Sequence, residues 1–440
     1  MSKLYSLYPI LVLISAFGPY LSVSLGIKSD SLLIFMISPL FLLCAFLSNI
    51  TRVKTSLFII FAVWSSSVVY LLMRTLLSNT YSLSSIIAEM KNLGHPIAIM
   101  MALMFVIFRN KDSGESLIIK SSHILIYLLS LNTVWIFIGF FVDLSAINQW
   151  FWRGDESVAY RAMSNGRFSG IFNQPMEAGI AYTIGLFAWV YLMDKRAVKI
   201  GLKYTLLLSL IIVGGLLSVS KVFIFGGLLI FIVNCLSIKS IRSRIVRLVI
   251  LIVLIGFPVY ELLSHTWNGF QYLFRFFDAN NQQQGLLSLL TAGRYGGTDA
   301  HQSSLFKSVW ESNRMYGEGL GSQKVIDSAF FHFFGTGGLI GLALYILILI
   351  SIAFVAIRFY LKYKGNAESR FLICIAIIIV LSSSGAPVLT LNRSSVIVWM
   401  FLSILISYLS LKAAEKPQEQ VTVVSKITTK QKTRKLIITW

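Results

Sequence analysis

Apolar runs of about 20 residues follow one another along almost the whole chain, and that succession restricts the fold more than any motif does. Residues 57–73 read LFIIFAVWSSSVVYLLM, and 338–357 read GLIGLALYILILISIAFVAI. Lipid offers the backbone no hydrogen-bond partners, so such runs must close their bonds internally as helices. Crossing about 30 Å of hydrocarbon takes roughly 20 residues. Spans are predicted near 5–25, 31–50, 56–77, 85–108, 118–142, 176–193, 204–219, 222–238, 246–264, 328–357, 371–389 and 395–411. The expected fold is an all-α integral membrane protein of about 12 transmembrane helices. The fourth run is interrupted by Glu89, Lys91, Gly94, His95 and Pro96, so a re-entrant or interfacial start is expected there as an alternative to a full span.

Composition agrees with a lipid-facing surface. Of 440 residues 56% are hydrophobic and 13% charged, about half the charge that a soluble domain carries. The length would hold two or three soluble domains, yet no stretch between the runs is long enough for one. Cys44, Cys235 and Cys374 each lie inside an apolar run and read as small core or lipid-facing residues, not as a disulfide framework or metal cluster. The apolar run after Lys3 continues into further spans without a clear cleavage site, so no removable signal peptide is expected.

Charge sets the orientation. With the N-terminus inside, every short inner connection is basic, and roughly two thirds of the 38 lysines and arginines fall on that side. Both termini are therefore expected in the cytoplasm. The net charge of +20 reports topology, not nucleic-acid binding. Residues 1–411 form the polytopic domain, and 412–440 form a basic cytoplasmic tail. That tail is read as a topology anchor, with anionic lipid headgroups as its other partner.

Two outward connections are long, near 143–175 and 265–327. Ordering such loops costs entropy that connection alone does not require. The first holds Trp150, Phe151 and Trp152, read as an interfacial belt or a platform for sugar stacking, then Arg153, Arg161 and Arg167. Arginines on the side where the topology rule does not ask for them offer a planar fork for phosphate oxygens. Glu177 opens the next span near a helix N-terminus, where a carboxylate either caps the helix or acts chemically. The second loop surrounds Arg294 with Gly293, Gly296 and Gly297, and follows Arg314 with Gly317, Gly319 and Gly321. Its GEGLGS lacks the lysine of a P-loop. Asp327 stands at the mouth of the next span with His332 a turn deeper. An ionisable group there is a functional candidate, although for His332 alone a hydrogen-bonded structural role is the favoured reading. Zinc spacing, a nucleophile elbow and a dinucleotide fingerprint are all missing, which removes most support for hydrolase and oxidoreductase readings.

These loops resemble a known family. RFSGIFNQPMEAG (167–179) is similar to the R-x-x-G-x-F-x-x-P signature of the O-antigen polymerase and ligase superfamily. GLLSVSKVFIFGG (215–227) resembles its S-x-S-R turn, with Lys221 in place of the usual arginine. AGRYGG, followed by GEGLGSQKVIDSAFFHFFGTGGLIGL, resembles its large outer loop and the following span. The likeness covers roughly 160–345. An aspartate at 327, where the ligase branch commonly has histidine, tilts the resemblance towards a polymerase of O-antigen, capsule or exopolysaccharide. A ligase, or a lipid-linked oligosaccharide flippase or transporter, stands as the alternative.

The resemblance implies a membrane glycosyltransferase at the periplasmic face of a bacterial inner membrane, with undecaprenyl-pyrophosphate-linked oligosaccharides as donor and acceptor. A chain-length regulator and a flippase are the implied partners. An acceptor hydroxyl would displace pyrophosphate at the anomeric carbon, so neutralising the leaving anion is the main task. Arg294 and Arg167, supported by Arg161, Arg314, Lys221 and His332, are the expected binders. Asp327 is the first choice as base and Glu177 the second. Neither a metal nor another cofactor is required by this scheme.

Overall fold

The computed structural model describes residues 2–22, 27–47, 56–78, 83–109, 113–152, 158–197, 201–238, 241–242, 301–322 and 328–435. Within these, helices stand on every predicted span; the stretch 246–264 lies outside them. They are α1 (Ser2–Ala16), α2 (Ser29–Leu47), α3 (Leu57–Ser78), α4 (Leu83–Arg109), α5 (Gly114–Ile138), α8 (Pro175–Asp194) and α9 (Leu202–Leu217). A π-helical turn (Val222–Gly227) runs into α10 (Leu228–Ser237), and α11 (His301–Asn313), α12 (Ala329–Lys362), α13 (Ala367–Ser382) and α14 (Asn392–Lys435) follow. Two short helices, α6 (Ser145–Asn148) and α7 (Val158–Ser164), lie within the first long loop.

Among the described residues, six helices are long and apolar enough to cross a membrane: α3, α4, α5, α8, α12 and the first part of α14. Two of these, α8 and the start of α14, are buried almost all round and form the axis of the bundle. A helix that is apolar on every face and enclosed by other helices is the expected centre of such a body. The outer helices turn large apolar side chains outward: Phe58, Val69, Met73 and Leu76 on α3, and Leu347, Ile350, Phe354 and Leu361 on α12. That surface suits lipid, and its extent is incompatible with water.

Two expectations are corrected. The fourth run is a continuous helix through Glu89, His95 and Pro96, not a re-entrant segment; the Trp64 indole donates to the Leu93 carbonyl at 2.9 Å, just before the proline. The first run does not stay helical to residue 25. It ends at Ala16, and Tyr20–Ser22 (β1) pairs with Ile27–Lys28 (β2) in a small antiparallel ribbon. Gly18 sits where a Cβ would lie 2.0 Å from the Ser29 hydroxyl, so the chain turns back too tightly to continue outward.

The two ends of the bundle differ. At the lower end, where α8 finishes, Lys195 bridges Glu115 at 2.9 Å and Glu368 at 2.5 Å. Asp194 pairs with Arg370, and the Tyr408 hydroxyl donates to Glu115 at 3.3 Å. Glu115 and Glu368 lie in the first turns of α5 and α13, where the helix dipole favours a carboxylate. At the upper end, where α8 and α14 begin, charge is used to hold irregular backbone.

Candidate functional site

The upper end is assembled around one short turn. After α7, Gly166 takes a φ of 72° and the Arg167 amide returns to the Ala162 carbonyl at 2.9 Å. The Phe168 amide then bonds the Leu217 carbonyl at 2.8 Å, which seats this strand of loop against the end of α9. Arg167 Nη2 donates to the Val219 carbonyl at 3.4 Å. Val219 itself has φ 47°, a left-handed conformation that a β-branched residue rarely adopts and that tertiary contacts must hold in place. Lys221, half-buried, leads directly into the π-helical turn, a rare geometry that recurs at functional sites. Arg167 and the Lys221 turn, far apart in sequence, are thus neighbours.

Motif glycines mark the close approaches that hold this arrangement. Gly170 has φ 62°, and a Cβ there would lie 2.2 Å from Asn132 Oδ1. Asn132 accepts the Ile171 amide at 2.9 Å and donates to the Tyr182 hydroxyl at 2.9 Å. At Gly179 a Cβ would meet the Ser220 hydroxyl at 2.2 Å, so α8 packs directly on the Lys221 turn. Arg161 is exposed on α7, on the same loop as Arg167.

Glu177 is fully buried, and both its oxygens are occupied. Oε2 accepts the Asn173 amide at 3.0 Å, and Oε1 accepts the Arg393 amide at 2.5 Å. One carboxylate therefore ties together the first turns of α8 and α14, which is the capping role and leaves little freedom for a base. Arg393 is also fully buried; Nη1 donates to the carbonyls of Ala16 at 3.0 Å and Gly18 at 2.5 Å, and Nη2 to that of Phe151 at 2.9 Å. Its guanidinium stands 5.9 Å from the Tyr20 ring centre and 5.7 Å from that of Phe151. Beside it, Lys28 and Asp30 are buried 3.9 Å apart, and His95 and Lys91 of α4 lie within electrostatic range of Asp30. Asn173 Nδ2 donates to the Tyr20 hydroxyl at 2.5 Å.

Sequence reasoning missed Arg393, Lys28 and Asp30. Arg393 precedes the last predicted span on the side where positive charge is not expected, the same signal that singled out Arg161 and Arg167. Lys28 and Asp30 fall in the short connection between the first two predicted spans, where no motif singles them out.

The second glycine-rich segment is fixed separately, on the kink of α12. Gly338 leaves the helix with φ 63° and ψ −157°, a conformation essentially confined to glycine. Across it the Leu339 amide bonds the Arg314 carbonyl at 2.8 Å, the Glu318 amide the Gly335 carbonyl at 2.9 Å, and the Gly319 amide the Thr336 carbonyl at 2.8 Å. Arg74 Nε donates to the Gly317 carbonyl at 2.9 Å, Thr75 Oγ1 accepts the Leu320 amide at 2.9 Å, and Glu89 accepts the Gly321 amide at 3.0 Å. Arg314 is exposed above this lock. His332 lies in the first turn of α12, where Glu89 interacts with it electrostatically.

The structure therefore brings Arg167 to the Lys221 turn, and places Arg314 and His332 on the separate segment around the α12 kink. Arg294 and Asp327 lie outside the described residues. Among the described residues no three His, Cys, Asp or Glu side chains gather as metal ligands. No protein-family model matches this chain, and no curated protein sequence matches it either.

Proposed function

We propose that this protein is a polysaccharide polymerase that joins undecaprenyl-pyrophosphate-linked repeat units into O-antigen, capsular or exopolysaccharide chains. The reading places it in a bacterial inner membrane with about 12 spans, both termini cytoplasmic and the upper end facing the periplasm. The observation that carries it is the meeting of Arg167 with the Lys221 turn: the Arg167 guanidinium reaches the Val219 carbonyl at 3.4 Å. Two cations that the resemblance assigns to pyrophosphate thus lie on segments that meet at one strained turn.

The chemistry asked of them is electrostatic. As an acceptor hydroxyl attacks the anomeric carbon, the bond to the pyrophosphate oxygen breaks and negative charge grows on the leaving group. Cations already oriented in a partly dry site stabilise that charge without reorganising. Arg294 and Arg314 extend the cationic set in this scheme, and Asp327 accepts the hydroxyl proton. Glu177 is assigned to positioning, since both its oxygens hold backbone amides.

The test is the surface-polysaccharide ladder of cells lacking the gene, complemented with wild type, Arg167→Ala or Arg294→Ala. Collapse to a single repeat unit, restored by wild type and by neither variant while all three proteins reach the membrane, is expected. A ladder complete on the lipid carrier but absent from the lipid core would assign a ligase instead, and loss of repeat units from the outer face would assign a flippase.

A further inference from the structure

The first long loop folds over the end of α5 and leaves a small pocket there of about 80 Å³, open at its mouth. Trp135, Trp152 and Phe168 supply its apolar walls, and Asp143, Asn148 and Gly170 its polar ones. Both indoles are locked. Trp135 Nε1 donates to Asn148 Oδ1 at 3.0 Å, and Trp152 Nε1 donates to the Gly170 carbonyl at 2.9 Å. Their N–H groups being spent, they offer a ligand only carbon surface, negative on its face. Asp143 is exposed and accepts the Ser145 amide at 2.9 Å; a carboxylate has acceptor positions to spare beyond that one bond.

A complementary ligand therefore presents C–H groups to rigid aromatic surfaces and hydroxyl donors to a carboxylate. A saturated, hydroxylated ring meets both demands. A cationic ligand would also suit aromatic rings and a carboxylate, but the neighbourhood argues against it. Phe168 of the wall directly follows Arg167, and its amide is bonded to Leu217 at the edge of the Lys221 turn. The pocket wall thus continues from Arg167 and is tied to the segment that leads to Lys221, and positive charge on that side disfavours a cation and favours a phosphate.

We propose that this pocket binds a hexopyranose ring and directs its anomeric phosphate to Arg167 and Lys221. This rests on the polymerase reading and names its donor-sugar subsite. Asp143 and Trp135 then act in sugar selection, and the cations in holding the phosphate.

The test uses the full chain in detergent and saturation-transfer NMR, with the methyl glycosides and 1-phosphates of glucose, galactose and N-acetylglucosamine as probes, and inorganic phosphate and choline as controls. At least one sugar is expected to give saturable transfer, its 1-phosphate binding about tenfold tighter than its methyl glycoside, as a charge-assisted hydrogen bond provides. Lys221→Gln should remove that advantage and leave the methyl glycoside unchanged. Asp143→Asn, at an exposed position, should weaken both forms about tenfold; Trp135→Leu is the second pocket variant. Saturable transfer from none of the sugars overturns the proposal. So does equal binding of the two forms, or displacement of a sugar by choline. Sugar binding with an intact ladder in the gene deletion would uphold the pocket and remove the polymerase. Full rescue of a lost ladder by Asp143→Asn and Trp135→Leu proteins would uphold the polymerase and remove the pocket.

Discussion

The lower and upper ends of the bundle use the same kinds of side chain in opposite ways. At the lower end charges meet charges: Lys195 with Glu115 and Glu368, Arg370 with Asp194. Four helices, α5, α8, α13 and α14, are fastened by side chains touching side chains. At the upper end, beside the Lys28–Asp30 pair, the two charges at the helix starts meet backbone. Arg393 gives its guanidinium to three carbonyls, and Glu177 gives its carboxylate to two amides. Regular helices need no help with their backbone bonds, whereas turns, ribbons and helix starts leave amides and carbonyls that must be satisfied within the protein. The lower end is a fastening; the upper end is a floor under irregular loops that carry Arg161, Arg167 and Lys221.

The largest test of this contrast is Arg393→Met. It leaves three carbonyls without their donor and Glu177 with Lys28 but without the second of its nearby positive charges, and breaking such a buried arrangement typically costs about 3–5 kcal/mol. The expected result is loss of the folded species in detergent, read as a collapsed Tm and an aggregated size-exclusion profile. Arg393→Lys should fold better than Met yet still fall well short of wild type, because one ammonium cannot span three carbonyls on two segments. A Met variant as stable as wild type would show that the floor does not depend on this residue.

Next in size is Lys195→Met at the lower end. Glu368 is almost wholly buried, and removing its partner should cost about 3 kcal/mol. The paired change Lys195→Met with Glu368→Leu should recover most of that, since apolar replacement of a buried ion pair is often neutral. At the upper end no such rescue is expected: Arg393→Met with Glu177→Leu would still orphan the carbonyls and amides. Comparing the Tm values of the two double variants therefore separates a fastening from a floor.

What was legible in the chain follows the same division. Helices and their positions came through because a run of apolar residues in lipid has one solution, and α3, α4, α5, α8, α12 and α14 stand where hydropathy put them. The neighbouring of Arg167 and Lys221 has a trace in sequence, since both lie in glycine-bearing motifs and Gly179 is where the two segments approach. The roles of Lys28, Asp30 and Arg393 had almost none. Each stands beside an apolar run, and nothing local says that Lys28 and Arg393 come near Glu177 or that Asp30 pairs with Lys28 there. Glu177 shows the limit from the other side. Its place at a helix N-terminus suggests either a cap or a base, and only the tertiary fold brings the Arg393 amide to the same carboxylate that holds the Asn173 amide.

Glycine substitutions sharpen the contrast at a smaller scale. Gly338 at the upper end and Gly365 at the lower end both have positive φ, 63° and 92°. A Cβ at Gly338 would lie 2.4 Å from the Met315 carbonyl carbon, whereas at Gly365 nothing stands within 4 Å. Gly365→Ala should cost only the backbone strain of an L-residue at positive φ, about 1 kcal/mol. Gly338→Ala adds the clash and should cost about 2–3 kcal/mol, with local loosening of 314–322 seen as faster proteolysis there. Equal costs would mean that the α12 kink is not packed as tightly as its neighbours imply.

The smallest effect is a difference in slope with pH. Burial pulls the Lys28 ammonium below the ordinary lysine value of 10.5, because Asp30 and Glu177 only partly offset its desolvation against Arg393. Burial also works against Lys195, yet hydrogen bonds and attraction from Glu368 and Glu115 lift it above that value. The signs oppose each other. Lys28 binds its proton less well folded than unfolded, so stability gains as pH rises from its lowered value to about 10.4. Lys195 binds its proton better folded, so its stabilisation is complete below about 10.4 and is lost as pH climbs through its raised value. In a Tm series from pH 8 to about 11.5, bracketing the lysine range, Lys28→Met should steepen the alkaline decline and Lys195→Met should flatten it. Both variants bending the curve the same way would mean that the two ends do not hold their lysines differently, and the distinction between a fastening and a floor would fail at its most direct point.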